Sequence, residues 1–174
     1  MAALLALALV AVWALALTAW PDLPERIPTR FDMQGQAIAW GEPAFGTWFV
    51  LPTLATAVAG GLGLALPSWI VALARRNSSM LNMPQRAKFR ALPEAARVRA
   101  AGAMASGLQR LSLLLALVFL FVLYGTNEVA HGRWQLLPSA VMFALVGFAV
   151  GQALWLVVAT SRAVRRESEI VEPR

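Results

Sequence analysis

Apolar and polar positions alternate along this chain in blocks rather than residue by residue. Four nearly continuous apolar blocks fall at 2–20, 47–74, 108–125 and 136–160. A hydrocarbon layer of about 30 Å is crossed by about 20 helical residues at a rise of 1.5 Å each, so every block reads as one transmembrane helix. Between them lie a proline-rich loop, 21–46, a basic segment, 75–107, and a brief loop before the fourth block; a charged tail, 161–174, follows. The pattern predicts an all-α, polytopic membrane protein: one membrane domain over 1–174, with four transmembrane helices and a proline-rich outer loop.

Local chemistry refines each block. The second carries Pro52 and Pro67 with Gly60, Gly61 and Gly63 between them, which predicts a tilted or kinked helix. Pro93 and Glu94 suit a helix start, so the third helix is expected to begin there, run past Arg97 and Arg99 in the cytoplasm and let Arg110 snorkel at the inner surface; a buried functional Arg110 is the alternative. The third block, LSLLLALVFLFVLYG, is bulky nearly all round and is expected to face lipid. The first lacks a basic leading region and exceeds the usual apolar length of about 7–15 residues for a signal peptide, so it reads as a retained helix.

Composition agrees: 59% of the 174 residues are hydrophobic and 14% charged, against about 45–50% and about 25% in soluble domains. The net charge of +6 would suit a nucleic-acid binder if it were spread over a folded surface, but it is not. Of 15 basic residues, eight lie in the segment from Arg75 to Arg110 and four in the tail, leaving Arg26, Arg30 and Arg133 for the other two loops. Lysine and arginine are retained on the cytoplasmic side, so both termini are placed there, in a bacterial inner membrane, and anionic lipid rather than nucleic acid is the partner of the basic segment. Trp20, Trp48, Tyr124 and Trp134 fall at the outer ends of the blocks and Trp69 and Trp155 near the inner ends, as interfacial belts require.

Little in the blocks is chemical. There is no cysteine, hence no disulfide and no thiolate site. The one histidine, His131, has Glu128 three residues before it, too few ligands for a metal. No phosphate loop or nucleophile motif is present, so no catalytic residue, metal or cofactor is predicted and the chain is not read as an enzyme. Small residues recur at helical spacing instead, at Gly147 and Gly151 in the fourth helix and at Ala55, Ala59 and Gly63 in the second. Such stripes let helices approach closely, either within the four-helix unit or against a partner subunit. Gln152, on the fourth helix, is the polar side chain there that needs a hydrogen-bond partner.

The loop after the first helix is denser in special residues than a connector requires. Its sequence, LPERIPTRFDMQGQAIAWG, holds Leu23, Pro24, Ile27, Pro28, Thr29, Phe31, Asp32, Gly35, Trp40 and Gly41 in an order that resembles the bacterial membrane domain of unknown function forming the N-terminal part of SdpI-type immunity proteins. Asn82, Met83, Pro84, Phe89, Leu92 and Pro93 resemble that domain's cytoplasmic Asn-x-Pro segment, so the likeness runs over roughly residues 1–99. The family's histidine position is Arg30 here. The resemblance implies an immunity or sensing protein that binds an extracytoplasmic peptide. Physically, the prolines fix φ, Gly35 can turn, and Arg30 and Asp32, two apart in an extended segment, would point the same way, either as an ion pair or as a polar site. Pro24, Pro28, Arg30, Phe31, Asp32, Gly35 and Trp40 are therefore the candidate interaction surface, with a structural lid as the plainer alternative; Gly63, Gly147, Gly151 and Gln152 are the candidate packing residues.

Three functions are open at this stage: a non-catalytic accessory or interaction protein, such as a subunit of a larger membrane complex; a peptide-binding immunity or sensing protein; and a carrier of a lipid or apolar solute. The first is preferred, with membrane lipids and either a membrane protein or an extracytoplasmic peptide as partners.

Overall fold

A computed structural model of the chain describes residues 1–76 and 80–171; the rest, including Arg174 of the basic tail, lie outside the described residues. The molecule is mostly helical. Helix α1 spans Ala2–Ala19 and a single 3₁₀ turn, Trp20–Asp22, ends it. Two short strands follow, β1 Ile27–Phe31 and β2 Ala37–Gly41. The second rod starts as α2 Phe45–Trp48 and α3 Val50–Ala55, widens into a π-helix over Thr56–Ala65, and returns to α-helix as α4 Leu66–Arg75. A short helix, α5 Arg86–Ala91, precedes the two longest, α6 Glu94–Ala130 and α7 Ser139–Val171. Four rods, beginning at Ala2, Phe45, Glu94 and Ser139, are long and apolar enough to cross a membrane. The strands mark one end of the bundle, called here the hairpin end; α5 and the polar extensions of α6 and α7 mark the stalk end.

The π-helical stretch has a local cause. Pro67 lacks an N–H and its ring would crowd the carbonyl four residues earlier, on Gly63, and a wider turn upstream relieves that crowding. Gly60 and Gly63 are buried in this stretch, and an added Cβ on Gly63 would overlap Leu5 and Ser112. Here α1, the π-helix and α6 come closest. Helix α1 meets them along Leu5, Leu9, Val12, Ala16 and Ala19, spaced three or four residues apart on one face. Several polar groups tie the first two rods together: Trp13 Nε1 donates to Thr56 Oγ1 at 2.8 Å, Thr56 Oγ1 donates to Pro52 O at 2.9 Å, and Trp48 Nε1 donates to Ala16 O at 2.9 Å.

One expectation is overturned. Helix α6 does not face lipid all round: it is the hub of the bundle, packed on α1, the second rod, β1 and α7, with Ala116 and Leu123 fully buried. Bulky residues fill inter-helical space as readily as they face acyl chains, and Gly107, Ser112 and Ala116 supply the close approaches. The exposed rod is α7, which buries only Ala149, Thr160, Val164 and Glu167.

The stalk end has a core of its own. Leu81, Met83, Phe89 and Leu92 pack with Ile70, Ala74, Ala96, Ala100, Leu108 and Val164, so residues 81–92 form a folded plug as well as carrying charge. Arg97 fastens it, donating from Nε to Ala74 O at 3.0 Å and from Nη1 to Leu92 O. Arg99 Nη2 and Glu167 Oε2, 2.7 Å apart, bridge α6 to α7.

Candidate functional site

The loop of 21–46 folds into an antiparallel hairpin. Ile27 pairs with Gly41, Pro28 with Trp40, Arg30 with Ala39 and Phe31 with Ala37, with the register slipping on either side of Arg30. The turn is built by Asp32. Its N–H donates to Gln36 O at 2.9 Å, its carbonyl accepts from Gly35 N–H at 3.1 Å, and its Oδ1 accepts from the N–H groups of Gln34 and Gln36 at 3.0 and 2.8 Å. This is the local side-chain bonding for which aspartate is favoured in turns.

The candidate interaction residues therefore divide into sets with different roles. Asp32 and Gly35 are turn residues, and Asp32 forms no ion pair with Arg30: its carboxylate points into the turn, not along the strand. Pro28 and Phe31 line a cavity of about 390 Å³ with Trp48, Leu51 and Val122, between β1, the start of the second rod and α6. Pro24, half-buried, precedes the hairpin. Arg30 and Trp40 are left exposed. Trp40 at 41% joins Met33 at 72% and Ile38 at 57% to give the hairpin an apolar outer side.

The loop between α6 and α7 holds the hairpin in place, and here the sequence reading fell short. Leu137 N–H donates to Gly35 O at 2.8 Å. His131 Nδ1 lies 2.8 Å from Asn127 O and its Nε2 lies 3.0 Å from Asp22 O, so the imidazole joins the end of α6 to the end of α1. Glu128 accepts from Arg133 Nε and Nη2 at 2.7 and 2.8 Å, a bidentate pair. The hydrogen bond from Arg133 holds the Glu128 carboxyl below the ordinary carboxylate range, against the opposing effect of burial. His131 and Glu128 are thus brought close in sequence for fastening. The available signal was Arg133, the one cation of its loop, five residues after an acid.

The packing residues also separate. Gly63 lies at the three-rod contact described above. Among the described residues nothing packs closely on Gly147 or Gly151: an added Cβ on either would meet no atom of them within 4 Å. The glycine that admits α7 to α6 is Gly107, where a Cβ would overlap Leu156. Gly147 and Gly151 instead form the floor of an open groove of about 470 Å³ along α7, bordered by Leu114, Phe148, Gln152 and Trp155. Gln152 Nε2 is sealed from solvent and has no hydrogen-bond partner among the described residues.

Residues 7–56 match the family model described as a domain of unknown function (DUF1648). The matched stretch takes in most of α1, the whole hairpin and the second rod as far as Thr56. No curated protein and no solved structure matches the chain.

Proposed function

We propose that this chain is a non-catalytic accessory protein of the bacterial inner membrane that docks a helix of another membrane protein on α7. The open groove over Gly147 and Gly151 carries this reading. In lipid there is no hydrophobic drive to associate, and close contact over small residues with interhelical hydrogen bonds supplies the energy. The groove offers the first of these through its bare floor at Gly147 and Gly151. In this reading the stalk end, with its eight basic residues from Arg75 to Arg110, is cytoplasmic and the hairpin end lies outside.

A second reading rests on a different observation. Strand β2 has one edge on β1 and the other uncovered, beside exposed Ile38 and Trp40, which suits an extended peptide added as a third strand. Peptide binding at that edge is the SdpI-like immunity or sensing role.

The absence of cysteine allows a clean test. A cysteine introduced for Ala144 or Phe148 and cross-linked in native membranes should trap one membrane protein in stoichiometric amount, recovered also by mild-detergent co-purification. Recovery of a small peptide through cysteines at Ile38, with nothing trapped along α7, would replace the first reading by the second.

A further inference from the structure

A second groove runs along the other side of the bundle, between α4 and α6, and its polarity changes along its length. Pro67, Val71 and Ala72 from α4 and Ala105 from α6 form an apolar floor, and Arg75 and Arg76 close the stalk end; the volume is about 550 Å³. The α4 residues recur every four positions, at 67/68, 71/72 and 75/76, so they share one face and span about 13 Å at 1.5 Å per residue. Among the described residues neither the Arg75 nor the Arg76 side chain has a hydrogen bond or ion pair, and no carboxylate lines the groove. Two carbonyls at that helix end already accept from Arg97, Ala74 O at 3.0 Å and Arg75 O at 3.4 Å, which brings a third guanidinium to the same place.

Three cations at one helix end, without an acid in the groove, call for an anion, and an apolar floor running into the bilayer calls for a hydrocarbon chain attached to it. We propose that this groove binds an anionic phospholipid, its phosphate held by Arg75 and Arg76 and one acyl chain laid over Pro67, Val71 and Ala105. Guanidinium groups match phosphate oxygens in geometry and charge, and basic pockets between membrane helices select anionic headgroups. The proposal needs only that the bundle spans a bilayer. It does not depend on the partner docked at α7.

The test is native mass spectrometry of the full chain extracted from vesicles of equal phosphatidylglycerol and phosphatidylcholine. Wild type should retain phosphatidylglycerol in preference to phosphatidylcholine. Arg75→Gln with Arg76→Gln should reduce that retention about tenfold or more. Ala72→Leu, which fills the groove and leaves both charges, should reduce it too. Arg162→Gln with Arg166→Gln, the same loss of charge on α7, should retain it as wild type does. All substituted side chains are exposed, and helical content measured on each sample checks the fold. Equal retention of the two lipids by wild type overturns the proposal. So does an equal loss in the α7 control, which would mark a general charge effect, or full retention by a folded Ala72→Leu, which would mark surface snorkelling alone. Should Ala72→Leu fail to fold, the arginine pair against the α7 control decides.

Discussion

The carbonyl of Gly35, at the tip of the hairpin turn, accepts a hydrogen bond of 2.8 Å from the N–H of Leu137, 102 positions later on the loop that leads into α7. Gly35 adopts φ +85°, and a Cβ there would run into the Leu137 carbonyl. Two independent reasons therefore demand glycine: the left-handed backbone and the close approach. Gly132 shares only the first, with φ +69° and open space around it. Gly35→Ala should lower thermal stability by more than Gly132→Ala, for which backbone strain alone costs about 1–2 kcal/mol. Thermal melts of the two variants in the same detergent decide the matter; equal losses would mean the hairpin is not fastened to Leu137.

Acid should loosen the molecule through two carboxylates. Glu128 and Glu167 are both held below the ordinary value of 4.5, chiefly by hydrogen bonds from Arg133 and Arg99 respectively. A carboxyl with a depressed folded-state pKa contributes stability that is fully present above its unfolded value and is lost as pH falls through the folded one. The melting temperature of wild type should thus fall more steeply below about pH 4.5 than that of a Glu128→Gln, Glu167→Gln double variant. Parallel profiles would show that neither pair contributes.

The four spanning rods were legible because length and apolarity alone decide whether a helix can cross a bilayer. The hairpin was not. IPTRF contains a proline, which argues against a strand, and MQGQ is not among the tight-turn pairs that announce a two-residue hairpin. Pro28 is tolerated because β1 is an edge strand of a two-stranded sheet. The central place of α6 was hidden for a different reason: lipid tails are as apolar as leucine, so LSLLLALVFLFVLYG reads alike whether helices or acyl chains surround it. Asp32 was read as a surface group because its acceptors' partners, the N–H groups of Gln34 and Gln36, appear only once the turn is closed.

Orientation can be checked chemically. Cysteines introduced at Gln36 and Gln135, both exposed at the hairpin end, should react in intact cells with an impermeant thiol reagent, and one at Ala87, exposed on α5, should react only after the cells are opened. The expectation rests on the concentration of arginine and lysine at the stalk end. Labelling of Ala87→Cys from outside would invert the topology and with it the assignment of the hairpin to the outer face.

The glycines of the rods should respond in opposite ways to added bulk. At Gly63 a methyl would overlap Leu5 and Ser112, and at Gly107 it would overlap Leu156. Overpacking of this kind costs about 1–3 kcal/mol, partly offset by the better helix propensity of alanine, worth about 0.5–1 kcal/mol. Gly63→Ala should therefore lower the melting temperature of the isolated chain, whereas at Gly107 the overlap is with the terminal Cδ1 of Leu156, which can swing aside, and Gly107→Ala should change it little. Gly151 has open space around it, so Gly151→Leu should leave the isolated chain as stable as wild type or slightly more so. Its effect should appear only in membranes, as loss of the protein trapped along α7, because bulk on the groove floor forces a docked helix away. Melts on purified chain and cross-linking in membranes, run on the same variants, separate the two effects. A Gly151→Leu variant that melts early would place this face inside the fold, and one that keeps its cross-linked partner would leave the groove to lipid.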